Sequence, residues 1–491
     1  MTWFHGKKPV LGSRLAVSML AVGVCGCSML PGGGHSPDPT GNPPPGHVLA
    51  SSSPTEAGTI SPRPVHAAAL KPLPAKPARC RQPPNHVNDF RAPTKRSSWK
   101  LIAVDDAYPK DPKNPYVDDT DNPYAYLEQV SAAADGTLWA LYDVKPSWKD
   151  VYRPDRLRRW NGEAWQTFDV PPPPLKSINP QSFGELPVDI ALAMTSAQQV
   201  HVFNVVERTE DSSSATTSTF GTVVHTYTEG RWRSENLPVT EPAPHDLFRN
   251  PVAADGSWVT LFGRRMLRWD GSSWQLHTLT SPNSLNDDTR IFSDDDAKPW
   301  VNVQLLRLFS YEHMFQPGML RWEGAGWREI GLPKLGLPSP PEEITENELY
   351  VEDVAVLSAD DVWVAGTAIM TGHVHEGDET SRPLALHWDG NSWTCHWSAP
   401  DDRDLEHVEP DGAGGMWMMS TDSGELLHLS DGRWTRERLP VPDGCKAYVS
   451  ALVRRPASQE VYAVGGIYHP SNDKRVCREF SHRRAALWRT G

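Results

Sequence analysis

At 491 residues the chain is longer than one ordinary domain, and its net charge of −13 argues against a nucleic-acid partner, whose phosphates demand a basic face. Twenty tryptophans exceed what core packing normally requires, while 46 prolines and 36 glycines mark a turn-rich chain poor in helix.

Residues 1–26 read as a signal peptide. Lys7, Lys8 and Arg14 precede a short apolar run from Leu15 to Val24, too brief to span a bilayer. The run ends in Val24-Cys25-Gly26-Cys27, which resembles the bacterial lipobox. Cys27 is the expected lipidation site, because Gly26 is the small residue such a site requires and Val24 fits poorly before Cys25. Ser28 after it resembles the outer-membrane sorting pattern. The expectation is an exported cell-envelope lipoprotein of the outer membrane, touching the membrane only through its lipid.

Residues 27–96 are rich in Pro, Gly, Ser and Ala and read as a disordered tether, because they carry too little apolar surface to fold. Residues 97–491 carry a repeat. Its clearest copy runs from Asp353 to Trp397: DVAVL, a turn at Ser358 to Asp361, VWVAG, an insertion, then LALHWDG and NSWTCHW. Short β-branched or aromatic runs between Asp-Gly and Asn-Gly turns are hairpin chemistry, four strands per unit. An aromatic or imidazole recurs in the second strand at Trp139, His201, Trp258, Trp300, Trp363, Trp417 and Tyr462. The third strand repeats it at Trp160, Tyr227, Trp269, Trp322, Trp388, Leu429 and Trp488, and the fourth at Trp165, Trp232, Trp274, Trp327, Trp393 and Trp434.

The last unit stops after three strands, at AALWRTG. Ser97-Ser98-Trp99-Lys100-Leu101 matches Ser272-Ser273-Trp274-Gln275-Leu276, so the N-terminal strand is expected to complete the last blade. The predicted fold is an all-β, seven-bladed β-propeller of four-stranded antiparallel blades, closed in this way so that no sheet edge is left in the ring. The DVWVAG…LHWDGNSW unit resembles the Trp-rich repeats of bacterial secreted β-propellers, and DGTLWAL…LRRWNG is similar to the propeller repeats of periplasmic two-component-sensor domains. No kinase, receiver or transmembrane segment follows in this sequence, so a sensor kinase is not the expected reading.

The Trp columns read as inter-blade packing rather than a sugar platform, and His201 as a packed member of one column. Asp135, Asp255, Asp294 to Asp296, Asp360, Asp361 and Asp411 recur before second strands, where Asp caps backbone N–H groups; a glycosidase needs one unique pair instead. His373, His375, Glu376, Asp378 and Glu379 lie in one insertion without a third histidine, and Asp118, Asp119 and Asp121 lack the Gly and distal Glu of an EF-hand. No catalytic or resident-metal constellation is predicted.

Six acids enter the innermost strands: Glu128, Asp189, Asp246, Asp288, Asp353 and Glu406. They are candidates for a ring at one channel mouth that takes a cation, calcium first. Cys445 and Cys477 flank strands of the seventh unit and form the expected disulfide; spacing does not decide whether Cys80 and Cys395 pair. The reading is a monomeric, non-enzymatic scaffold for a protein or small ligand, the alternative a propeller hydrolase or lyase with metal at the channel mouth.

Overall fold

The computed structural model describes residues 58–59, 63–65, 68–73, 79–81, 88–104, 124–145, 156–171, 186–212, 215–242, 252–253, 257–261, 265–270, 273–278, 284–285, 290–292, 300–309, 312–324, 326–336, 344–372, 380–398, 405–420, 424–468 and 484–491. The fold is an all-β propeller. Among the described residues, seven sheets of four or more strands follow one another, each an antiparallel meander from an innermost to an outer strand. We number these blades 1 to 7. Their innermost strands begin at Tyr124–Ala132, Leu186–Ser196, Val252–Ala253, Arg290–Phe292, Ile344–Ser358, Leu405–Pro410 and Lys446–Arg454. Each blade touches the next in chain order, and Lys446–Arg454 returns to Tyr124–Ala132, which closes the ring.

Closure uses the predicted strand. Trp99–Val104 pairs antiparallel with Arg484–Thr490, with Trp99 opposite Thr490. This pairing corrects one column. Trp160, Trp269, Trp322, Trp388 and Leu429 lie opposite Trp165, Trp274, Trp327, Trp393 and Trp434. Thr490, not Trp488, therefore holds that position in blade 7. Trp488 lies two residues earlier on the same side of the strand, fully buried, with its indole N–H donating to the Pro440 carbonyl at 2.8 Å.

The aromatic columns meet between blades. The second-strand residue of one blade reaches forward onto the third- and fourth-strand pair of the next. Trp139 lies 5.6 Å from Tyr227, His201 lies 5.4 Å from Trp269 and 5.3 Å from Trp274, and Trp417 lies 5.0 Å from Trp99. Tyr462 packs in one buried cluster with Trp160, across the joint between blades 7 and 1. Sheets that splay outward leave a wedge of space between them, and large planar side chains fill it.

Where the segment read as a tether is described, it is ordered. It runs along the rim in chain order, parallel to successive outer strands. Gly58–Thr59 pairs with Arg231–Pro242 of blade 2, Arg63–Val65 with Trp274–Thr278 of blade 3, and Ala68–Leu73 with Gly326–Gly331 of blade 4. Arg79–Arg81 pairs with Lys334–Gly336, and Cys80 forms a disulfide with Cys395 on the outer strand of blade 5. Asp89 then exchanges backbone and carboxylate hydrogen bonds with Trp397, and Thr94 bridges to Arg436 of blade 6. Proline suits this path, because a rim strand need not donate on its solvent side. The strap covers edges that would otherwise stay open.

Candidate functional site

Strand alternation gives the two ends of each blade different contents. The connections from first to second and from third to fourth strand share one end; the second-to-third hairpins and the crossings between blades share the other.

Where it is described, the first end repeats side-chain-capped turns; Asp255 and Asp294 to Asp296 lie outside the described residues. Asp135 accepts from the Thr137 amide at 2.9 Å, Asp270 from Ser273 at 2.8 Å, and Asp389 from Asn391 and Ser392 at 2.9 and 2.7 Å. In blade 5, Trp363 stacks on His387 with centroids 4.1 Å apart, and the imidazole Nε2 lies 2.9 Å from Asp361. Blade 6 repeats the unit with Trp417, His428 and Asp411 at 3.9 and 2.9 Å. Asp411 is buried, which works to raise its pKa, yet His428 and the Ala413 and Gly415 amides together hold it below the ordinary value. Blade 7 varies the same stack: the Tyr462 hydroxyl donates to Glu460, whose other oxygen lies 3.2 Å from Arg489. These acids orient their own blades.

The six candidate acids do not share one backbone position. The innermost strands of blades 1, 2, 5, 6 and 7 each skip one residue in their pairing, between Leu127 and Gln129, Pro187 and Asp189, Val351 and Asp353, Leu405 and His407, and Val449 and Ala451. Glu128 and Glu406 are the skipped residues, whereas Asp189 and Asp353 follow the skip. The side chains of Glu128 and Asp189, and the whole of Asp246 and Asp288, lie outside the described residues. Asp353 is engaged: Oδ1 accepts from its own strand at Val354, 2.9 Å, and Oδ2 from the Val408 amide of blade 6, 3.0 Å, with His407 Nδ1 at 3.4 Å. Glu406 is half-buried.

Asp353 belongs to a set of clasps between neighbouring innermost strands. Gln129 accepts from Leu192 of blade 2 at 3.0 Å, Glu409 from Arg454 of blade 7 at 2.9 Å, and the Ser450 hydroxyl donates to the Leu127 carbonyl of blade 1. The sequence reading missed Gln129, Glu409 and Ser450; the only available signal was a polar residue in an otherwise apolar strand.

Among the described residues no group of three or more His, Cys, Asp or Glu side chains could hold a metal ion. Cys27, Cys477, the His373–His375 insertion and Asp118 to Asp121 lie outside them. Cys445 is disulfide-bonded, to a partner outside the described residues. Among the described residues no helix is long and apolar enough to cross a membrane.

The second end differs from blade to blade. The second and third strands of blade 2 run 14 residues each, Gln199–Ser212 and Ala215–Thr228, and stay paired to Ser212 and Ala215. Those of blade 4 run 10 and 11 residues, whereas those of blade 6 run five and six. Among the described residues, the blades differ most in length here.

No known protein family and no curated protein matches the chain. Solved structures similar to it include an α-L-arabinofuranosidase from Fusarium graminearum, 11% identical over 80% of this chain and 98% of that one, TM-score 0.36. Others are virginiamycin B lyase from Staphylococcus aureus, 11% identical over 79% and 98%, TM-score 0.38, and YCF48 from Cyanidioschyzon merolae, 10% identical over 77% and 100%, TM-score 0.37. The last two are β-propeller proteins. These likenesses concern fold and carry nothing about activity.

Proposed function

We propose that this chain is an exported, lipid-anchored envelope protein whose propeller is a rigid, non-enzymatic scaffold, binding a protein or small ligand through its hairpin end. The observation that carries the reading is the contrast between the two ends of the blades. Turns at one end repeat a capped design, while the hairpins of blades 2 and 4 extend well past that of blade 6. Loops on a rigid frame are where recognition is placed. Export is supported by the lipobox-like Cys27 and by disulfide bonding at Cys80, Cys395 and Cys445, which persists in oxidising compartments.

Two measurements test this. Replacing Cys27 with Ser should abolish labelling by a fatty-acid analogue and release the protein from the membrane fraction; undiminished labelling overturns the anchor. Chemical crosslinking in the native envelope should yield a partner that disappears when the blade 2 hairpin between Glu207 and Phe220 is replaced by a two-residue turn. A partner retained by that variant, and lost when the opposite turns are altered, would reverse the assignment of the binding end.

A further inference from the structure

The strap meets the ring at regular intervals. Its first contact residues on blades 2, 3 and 4 are Gly58, Arg63 and Ala68, five residues apart. On blades 5, 6 and 7 they are Asp89, Thr94 and Trp99, again five apart. Five extended residues span at most about 18 Å, and one such step joins neighbouring outer strands.

Each step also descends the strand it meets. Counted from the fourth-strand tryptophan, the partner lies three residues after Trp232, one after Trp274 and one before Trp327. On the second run it lies four after Trp393 and two after Trp434, and at Trp99 the strap itself becomes the strand. Both runs shift by two positions per blade, like a belt wound at constant pitch.

With that register known, the strap divides into five-residue modules. GTISP from Gly58, RPVHA from Arg63 and AALKP from Ala68 each carry a β-branched or aliphatic residue third and Ala or Pro fifth. Ser53 begins one more, SPTEA, with Thr55 third and Ala57 fifth, and its Pro54 matches Pro64. VLASS before it breaks the pattern at both places. Residues 53–57 lie outside the described residues.

Blade 1 offers this module a place. Its outer strand, Trp165–Asp169, pairs on one side with Arg156–Trp160, and among the described residues no strand pairs with its other side. Carried back one blade, the five-residue step brings Ser53 to blade 1. The two-position shift sets it five residues after Trp165, at Val170, directly after the strand. Asp89 crosses blade 5 in a similar place, at Trp397, the last residue of Trp393–Trp397.

We propose that residues 53–57 dock on the outer edge of blade 1, at Asp169 and Val170, so that the strap makes one full circuit from blade 1 to its own entry into blade 7. The occupant is this segment of the same chain, held by main-chain pairing as its sister modules are. A pull on the N-terminus then acts first on blade 1, beside the joint that the closing strand seals. The proposal stands apart from the binding reading.

Two measurements on the full chain test it. Ser53→Cys with Asp169→Cys, treated with a short bis-maleimide, should crosslink within one chain as readily as Arg63→Cys with Gln275→Cys, a pair already in register. It should exceed Ser53→Cys with Lys100→Cys, on the outer strand of blade 7, at least about tenfold, because thiols held close react at high effective concentration. Amide hydrogen exchange supplies the second readout. Ser53→Pro with Thr55→Pro removes the two donors that Pro54 leaves, and exchange at residues 168–170 should rise about tenfold or more. Arg265–Trp269 of blade 3 should not respond. Equal crosslinking at Asp169 and Lys100, a crosslinked dimer that shows a second copy on the edge, or exchange at blade 1 that the prolines leave unchanged overturns the proposal.

Discussion

The Ser98 amide and hydroxyl both donate to one carboxylate oxygen of Glu437, at 2.6 and 2.8 Å. Glu437 lies fully buried on the outer strand of blade 6, and Ser98 directly precedes the strand that completes blade 7. The closing strand is therefore aimed by its neighbour before it enters its own sheet. Lys95 Nζ supplies the countercharge at 2.8 Å while staying partly exposed.

Glu437→Ala should accordingly destabilise the fold by about 2–3 kcal/mol, chiefly through the lost charge-assisted bonds to Ser98. The double variant with Ser98→Ala should cost less than the two single changes added together, since both remove one contact. Chemical denaturation of the four proteins measures the coupling, and strict additivity would show that the carboxylate acts elsewhere.

The Cys80–Cys395 disulfide spans 315 residues and pins the strap to blade 5. On chain-entropy grounds a loop of that length contributes up to about 6 kcal/mol. Cys80→Ser with Cys395→Ser should lower the melting temperature and expose residues near Arg79–Arg81 to protease before the blades are cut. Peptide mapping without reduction should recover Cys80 linked to Cys395 and, as the second bridge we propose, Cys445 linked to Cys477. A Cys445 peptide joined to any other cysteine refutes that second pairing.

Closure and the aromatic joints were legible because both are written in side chains. A Ser-Ser-Trp beside a blade lacking its last strand identifies its own place. The strap was not legible: its strands pair through main chain, in two- to six-residue pieces, its side-chain anchors at Cys80 and Asp89 are isolated, and its prolines imitate a linker. Trp488 was misplaced because residue type was followed where pairing register decides, and Thr490 carries no aromatic signal. Asp353 was legible as an acid near the ring's inner wall but not as a clasp, since its role depends on a skipped backbone pair that no side chain announces.

The skipped residue also explains a glycine in the second strand. Beside the skip at Glu352, the Tyr350 carbonyl turns toward Gly366, and a Cβ there would sit 2.1 Å from that oxygen. Gly465 meets the Tyr448 carbonyl of blade 7 in the same way, at 2.0 Å. Gly366→Ala should cost about 1–3 kcal/mol, the range for overpacking a tight site, whereas Gly162→Ala, in an exposed turn with no atom within 4 Å, should cost only its backbone strain at φ +98°. Thermal melts of the two variants rank them, and a Gly366→Ala protein as stable as the parent would mean that the inner strand shifts freely.

Asp353 links the inner wall to the question of calcium. Its Oδ2 accepts the Val408 amide of blade 6, so Asp353→Ala would leave the donor of a buried residue unpaired and release one clasp between innermost strands. The expected loss is about 1–3 kcal/mol. Asp353→Asn keeps one acceptor oxygen and should recover part of that loss, because the amide can still receive Val408 while its NH2 group faces the Val354 amide or His407. If the carboxylate serves only as a clasp, both variants should lose the same stability in millimolar calcium as in EDTA. If it also serves a cation, the parent should melt higher in calcium and the variants should lose that increment, since binding to the folded state alone stabilises by mass action. The clasp already uses both oxygens on backbone amides, and the geometry favours the first outcome: parallel melting curves in calcium and EDTA, displaced by the same amount for each variant.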